Sequence, residues 1–259
     1  MTPADIALIN RLADAAGNAI RPFFRSAFAH EAKADASPVT EADRAGEAGI
    51  RAILDTECPH DAIVGEEYGE KPGTSGRSWI IDPIDGTVSF MAGRPIFGTL
   101  IALLEDGWPV LGVIDQCIGG ERWLGVAGRE TTLNGQPIRT RACLSLAETV
   151  LASSGPQYFD DHNAEQFMAL AAKTADKRML WGGDCYNYGL LAAGHIDLVV
   201  ESGLKLHDFA ALVPVVEGAG GIMCDWDGEP LHAASQGHVI ALGDPARLDD
   251  VLEALAGHH

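Results

Sequence analysis

The chain has 259 residues, enough for one large domain or two packed halves, and with 47% hydrophobic and 21% charged residues its composition is that of an ordinary globular protein. Thirty-seven acidic residues against 18 basic ones give a formal net charge of −19, which argues against a nucleic-acid partner, because phosphate backbones are bound through Lys and Arg. No run of about 18 uncharged apolar residues suggests a membrane span, the first residues lack the basic region of a signal peptide, and Cys58, Cys117, Cys143, Cys185 and Cys224 are scattered without a CxxC pair, so reduced thiols in a cytoplasmic protein are expected.

Ile6, Ile9, Leu12, Ala13, Ala16 and Ile20 recur at helical spacing. Thr2-Pro3-Ala4-Asp5 supplies a cap, a first-turn proline and an early acid, so a first helix is expected to run to about Phe28. A polar loop through Ser37-Pro38 follows, and Thr40 is expected to start a second helix reaching about Glu57, with Asp43 on its first turn. Taken locally, Asp43 reads as a capping acid at the positive end of the helix dipole.

Residues 61–67, DAIVGEE, read as a short strand stopping at Gly65 with Glu66 and Glu67 beyond it. The stretch WIIDPIDGTVSF at 79–90 is an apolar run that ends in two aspartates three residues apart. Trp79 to Ile81 read as a buried strand and residues 82–87 as the turn at its end. Pro83 fixes its own φ and biases Asp82 toward an extended conformation, so both carboxylates sit on a stiff turn. Hard divalent cations take oxygen ligands, and Asp82, Asp85 and an intervening backbone carbonyl would present three of them. Gly86 allows close approach to the backbone, and N–H groups at a helix start attract phosphate. A lone DxxD also suits an ordinary solvated loop. Glu66, at the end of the preceding strand, is what favours a metal-plus-phosphate site.

Residues 98–125 read as an antiparallel meander with turns at Glu105-Asp106-Gly107 and Ile118-Gly119-Gly120, and Asn134-Gly135 marks another turn. Residues 1–145 are therefore expected to form an α+β half. Residues 146–259 alternate short strands with helices at 161–173, 184–193, 206–217 and 245–256, a more α/β-like rhythm. No Pro/Ser-rich linker separates the halves, so they are expected to share a cleft within one compact unit. Near the end of this alternation Glu201 closes a strand, and Asp208 sits on the first turn of an almost wholly apolar helix, where a carboxylate requires a partner. His207 reads as a packing residue or as a support behind a ligand, rather than as a ligand itself.

GEE at 65–67, WIIDPIDGT at 79–87 and HDFAA at 207–211, with PVTEAD at 38–43, resemble the lithium-sensitive, Mg²⁺-dependent inositol monophosphatase family, and the resemblance covers essentially the whole chain. VLGVIDQ, GERWLG and GGDCYNYGLLAAGHIDLVVE at 182–201 resemble its branch acting on L-histidinol phosphate. The resemblance implies a layered α/β/α/β/α sandwich, α+β in class, that assembles as a homodimer and acts on a small phosphomonoester with two or three Mg²⁺ ions. It implies metal binding by Glu66, Asp82, Asp85, Asp208 and the carbonyl of Ile84, with Asp82 bridging two ions. Thr87 and Asp43 would orient and help deprotonate the attacking water. Backbone N–H groups of Gly86 and Thr87 would hold phosphate oxygens, and Glu201 would recognise the alcohol. At the cleft rim, Asp184 would join Glu201 in pairing with the ammonium and imidazole of histidinol phosphate, or would serve simply as the first acid of its helix. Two other functions are carried alongside: a phosphatase for inositol or another sugar alcohol, because the metal core does not distinguish leaving groups, and a non-catalytic regulator that binds metal or a phosphometabolite.

Overall fold

The computed structural model describes residues 1–26, 30–32, 38–174 and 177–257, with 30–32, 38 and 39 described by backbone alone. Helix α1 (Pro3–Ile20) opens with a reciprocal cap: Thr2 accepts from the Asp5 N–H and the Asp5 carboxylate accepts from the Thr2 N–H. It ends eight residues short of the expected boundary, giving way to a 3₁₀ turn at Arg21–Phe23. Pro22 is the physical reason, since it has no N–H for the carbonyl four residues back. Phe28 and Ser37 lie outside the described residues. Strands β1 (His30–Ala32) and β2 (Pro38–Thr40) pair antiparallel and lead into α2 (Glu41–Glu57).

Next come β3 (Ala62–Gly65), β4 (Gly69–Lys71), β5 (Arg77–Asp85) and the short helix α3 (Thr87–Met91). The expected meander is present as β6 (Gly98–Glu105), β7 (Trp108–Gln116) and β8 (Glu121–Val126), followed by β9 (Thr132–Leu133) and β10 (Gln136–Pro137). At the Asp106-Gly107 and Asn134-Gly135 turns all four residues have positive φ, as the mirror-image hairpin turn requires. These strands form an eight-stranded sheet in the order β10-β9-β8-β7-β6-β5-β3-β4. It is antiparallel except where β3 runs parallel to β5, and that one pairing brings the carboxyl ends of both strands to the same edge.

The remaining elements are β11 (Leu151–Ser153), α4 (Asp161–Ala171), β12 (Met179–Trp181), α5 (Asp184–Ala192), β13 (Leu198–Glu201), α6 (Leu206–Phe209), α7 (Leu212–Gly218), β14 (Ile222–Cys224), β15 (Val239–Leu242) and α8 (Leu248–Leu255). Their five-stranded sheet has the order β12-β11-β13-β15-β14, with β11 parallel to both of its neighbours and the β13-β15 and β15-β14 pairs antiparallel.

Strand alternation sets the layers. On β5, Trp79 and Ile81 pack with Ile9, Leu12, Ile50 and Leu54 of α1 and α2. Ile80 faces the other way, into a core shared with Tyr188, Phe209, Val213 and, from the second sheet, Val199 and Ala241. On that sheet's far side, Val200, Ile240 and Leu242 pack with Phe167 and Leu170 of α4 and Val251 and Leu255 of α8. The result is the expected α/β/α/β/α sandwich. No helix among the described residues is long and apolar enough to cross a membrane.

Candidate active site

Five chain segments converge on one cavity of about 330 Å³, lined by Glu66, Asp82, Ile84, Asp85, Gly86, Thr87, Asp184, Glu201 and Asp208, with Ser154, Tyr158, Lys205 and His207. The segment read as a turn after Ile81 is instead the bulged end of β5. Asp82 still pairs with Leu100 of β6, and Asp85 pairs with Gly98 after a register shift. Pro83, which has no N–H to give a ladder, sits in that irregularity, and its carbonyl accepts from the Thr99 hydroxyl at 2.8 Å. The bulge turns both aspartates toward the cavity. One oxygen of Asp82 accepts from the Ile84 N–H at 3.0 Å, and Asp85 Oδ2 accepts from the Cys185 N–H at 2.5 Å.

Among the described residues, Asp82, Asp85 and Asp208 each place a carboxylate oxygen within 4.8 Å of the others. Asp208 comes from α6, where it accepts from the Lys205 N–H at 2.7 Å and lies 3.5 Å from His207 Nε2. His207 thus lies against a cavity-lining acid. Burial raises the pKa of all three acids, with mutual repulsion added: Asp208 acts on Asp82 and Asp85, and Glu66 is the strongest charge acting on Asp82. Glu66 lines the same cavity just outside the triad. Clustered carboxylates of this kind, Asp82 buried and Asp85 and Asp208 half-buried, are the donor set of a hard divalent cation, whose charge would remove the repulsion.

Asp43 and Thr87 face each other across the elements. Asp43, fully buried on the first turn of α2, accepts from the Thr40 backbone and hydroxyl with one oxygen. Its other oxygen lies 3.4 Å from Thr87 Oγ1, which is also 3.1 Å from the Ile84 carbonyl. The carboxylate therefore caps its helix and also reaches Thr87, which lines the cavity, and burial pushes its pKa up, against the hydrogen bonds from Thr40. Gly86, at φ 85°, is the N-cap of α3. The N–H groups of that first turn have no acceptors within the helix.

Glu201 lies deeper than the expected cleft rim, while Asp184 is half-buried. Glu201, 1% exposed, accepts from Ser154 N at 2.7 Å, Ser154 Oγ at 2.8 Å and Ser153 Oγ at 3.2 Å, and burial pushes its pKa up to about 7. Asp184, at left-handed φ 45°, accepts from Ser89 Oγ at 3.0 Å and abuts Gly86. Burial raises its pKa too, while Ser89 and Arg94 oppose the shift. Ser154 and Tyr158 carried no sequence signal; both lie just beyond β11, a three-residue strand.

A sequence model of the inositol monophosphatase family matches residues 4–258. The chain is 46% identical over 258 residues to a protein named bifunctional phosphatase IMPL2, chloroplastic, of Arabidopsis thaliana, covering 96% of this chain and 74% of that one. It is 36% identical to the histidinol-phosphatase of Chlorobaculum parvum, covering 93% of each. Its fold superposes on a solved inositol monophosphatase from Zymomonas mobilis with a TM-score of 0.89 and 52% identity over 98% of both chains. Family enzymes are metal-dependent phosphatases, generally using Mg²⁺, which agrees with the carboxylate triad. By sequence, by fold and by this cluster of acids, the chain belongs to the inositol monophosphatase family and is a phosphomonoester hydrolase.

Proposed function

We propose that the protein is a Mg²⁺-dependent histidinol-phosphate phosphatase, converting L-histidinol phosphate and water to L-histidinol and phosphate. The observation that carries this reading is the presence in one cavity of two carboxylates, Asp184 and Glu201, beyond the metal-type triad and the neighbouring Glu66. A leaving group bearing an ammonium and an imidazole would pair with both, whereas a neutral polyol would have to be hydrogen-bonded beside charges it does not offset. Relatives named histidinol-phosphatase, at 35–36% identity over most of the chain, support it.

Glu66, Asp82, Asp85, Asp208 and the Ile84 carbonyl would hold the Mg²⁺ ions. Bound there, the ions would lower the pKa of a water and offset the charge of the phosphoryl group and leaving oxygen. The chain's own residues manage the proton and the orientation. Thr87 Oγ1 accepts a proton from the attacking water as its own passes to Asp43, whose buried, proton-seeking carboxylate suits a base. Backbone N–H groups of Gly86 and Thr87 hold phosphate oxygens. Oxygen–phosphorus bond formation accompanies cleavage of the bond to the alcohol oxygen, which leaves as L-histidinol after taking up one proton, balancing the one the attacking water gave up to Asp43. The same reading makes the enzyme a homodimer and places it in the cytoplasm, where its five free thiols are at home.

A second reading is inositol-1-phosphate hydrolysis, favoured by the 52% identity to the Zymomonas mobilis inositol monophosphatase. Comparing kcat/KM for histidinol phosphate, inositol 1-phosphate, fructose 1,6-bisphosphate and 3′-phosphoadenosine 5′-phosphate separates the two. A preference of at least about tenfold for histidinol phosphate is expected, and a preference for inositol 1-phosphate would establish the second reading.

A further inference from the structure

Helix α2 carries Asp43 and, one turn later, Glu47, so both carboxylates lie on one helix face. Glu47 is fully buried, yet it lines no part of the cavity. Its oxygens accept from the Glu67 N–H at 2.7 Å, the Tyr68 N–H at 3.2 Å and Arg51 Nε at 2.6 Å. Arg51, one further turn along, donates to the Gly69 carbonyl and lies 6.0 Å from the Tyr68 ring centroid. Glu47 and Arg51 thus grip residues 67–69, the segment that follows Glu66 immediately. The residue before Glu66 is shaped by the same carboxylate: a Cβ at Gly65 would stand 1.9 Å from Glu47 Oε1. Glu66 is therefore followed by residues bonded to Glu47 and preceded by a glycine packed against it, and Glu47 itself does not line the cavity.

We propose that Glu47 is a positioning residue of the metal centre: with Arg51 it fixes the loop bearing Glu66, and so sets the affinity for divalent cations without touching ion or substrate. This rests on the reading of Glu66, Asp82, Asp85 and Asp208 as metal ligands. A purely structural Glu47, tying α2 to the sheet, would affect melting temperature and leave ion affinity alone.

The test is Mn²⁺ binding to the full-length protein, followed by electron paramagnetic resonance, with melting temperature recorded in parallel. Glu47→Gln sets an amide donor against backbone donors, and the Mn²⁺ Kd is expected to rise about 10- to 100-fold, the range found for residues that orient metal ligands. In the Glu66→Gln background the same change is expected to shift Kd by less than about threefold, because the ligand that Glu47 positions is already gone. Should Glu47→Gln fail to fold, the less buried Arg51→Gln carries the decision, with an expected 3- to 10-fold rise. An unchanged Kd in the folded variant, or an equal rise with and without Glu66, overturns the proposal. Wild-type protein that does not bind Mn²⁺, or Asp85→Asn that binds it as tightly as wild type, removes instead the metal reading on which the proposal stands.

Discussion

Asp184 occupies the space that a side chain at position 86 would need: a Cβ built on Gly86 stands 2.6 Å from Asp184 Oδ2 and 2.9 Å from its Cγ. Gly86 also has φ 85°, a conformation that costs other residues about 1–2 kcal/mol. The glycine in DPIDGT thus answers to a residue 98 positions later as well as to the local turn, and the proposed substrate-specificity acid is in van der Waals contact with the proposed phosphate cradle.

Gly86→Ala is expected to lower both melting temperature and kcat/KM, the latter by at least about tenfold, and Asp184→Gly should partly rescue the melting temperature but not the kcat/KM. The double variant loses the steric conflict and keeps only the φ strain, while glycine at 184 relieves that residue's own left-handed φ of 45°. A coupling energy of about 1 kcal/mol or more between the two sites is expected from a double-mutant cycle on stability. Additive effects would show that the clash is absorbed elsewhere.

Asp85→Asn is expected to reduce Mg²⁺-dependent phosphate release by at least about 100-fold, more than changes that act only on ligand orientation. The fold should survive, because the amide oxygen can still accept from the Cys185 N–H. Metal-free Asp85→Asn should melt at or above the wild-type temperature, since one of the mutually repelling carboxylates is gone. EDTA should inactivate the wild type, and activity that withstands it would exclude a metal mechanism.

Much of this site was legible because an apolar strand that stops at carboxylates has few structural reasons to do so, and two such strands, β3 and β5, lie parallel with their acidic ends together. What was illegible follows from tertiary context. Pro83 read as a turn signal, but pairing on both sides of the bulge keeps the strand going to Asp85. The apolar helix expected over 206–217 is divided into α6 and α7; Pro214 has no N–H for the Ala210 carbonyl, a break readable from its position. Strand β12 has only three residues at a sheet edge, too short for a periodic signal. Glu47 was missed although its spacing from Asp43 put both on one face, because its partners are backbone N–H groups that no side-chain pattern reveals.

Asp43→Asn is expected to lower kcat by about 10²–10⁴-fold while KM changes little, because the amide cannot take a proton through Thr87. The substitution keeps an oxygen to accept from Thr40, so the α2 cap and the melting temperature should be largely preserved. Thr87→Ala should show a similar loss, and the double variant little more than either alone, as residues acting in one relay do. Steady-state kinetics at saturating Mg²⁺ decide it: multiplicative losses would mean that the two residues act separately.

Glu201 gives the metal-free protein a pH-dependent stability whose sign can be worked out. Its folded pKa is raised, chiefly by burial, to about 7, while in the unfolded chain it titrates near the ordinary value of about 4.3. Between those values the folded state binds the extra proton, so the contribution is fully present below the unfolded pKa and is lost as pH rises through about 7. From pH 6 to 8.5 the loss amounts to roughly one pH unit of proton linkage, about 1.4 kcal/mol, or roughly 3–6 °C in melting temperature. Asp82, Asp85 and Asp208 slope the same way, so the comparison must be made between proteins that share them. Melting curves in EDTA across this range should show wild type losing that much more stability than Glu201→Gln, whose amide does not titrate. Parallel curves for the two proteins would mean that Glu201 is already ionised in the folded state at pH 6.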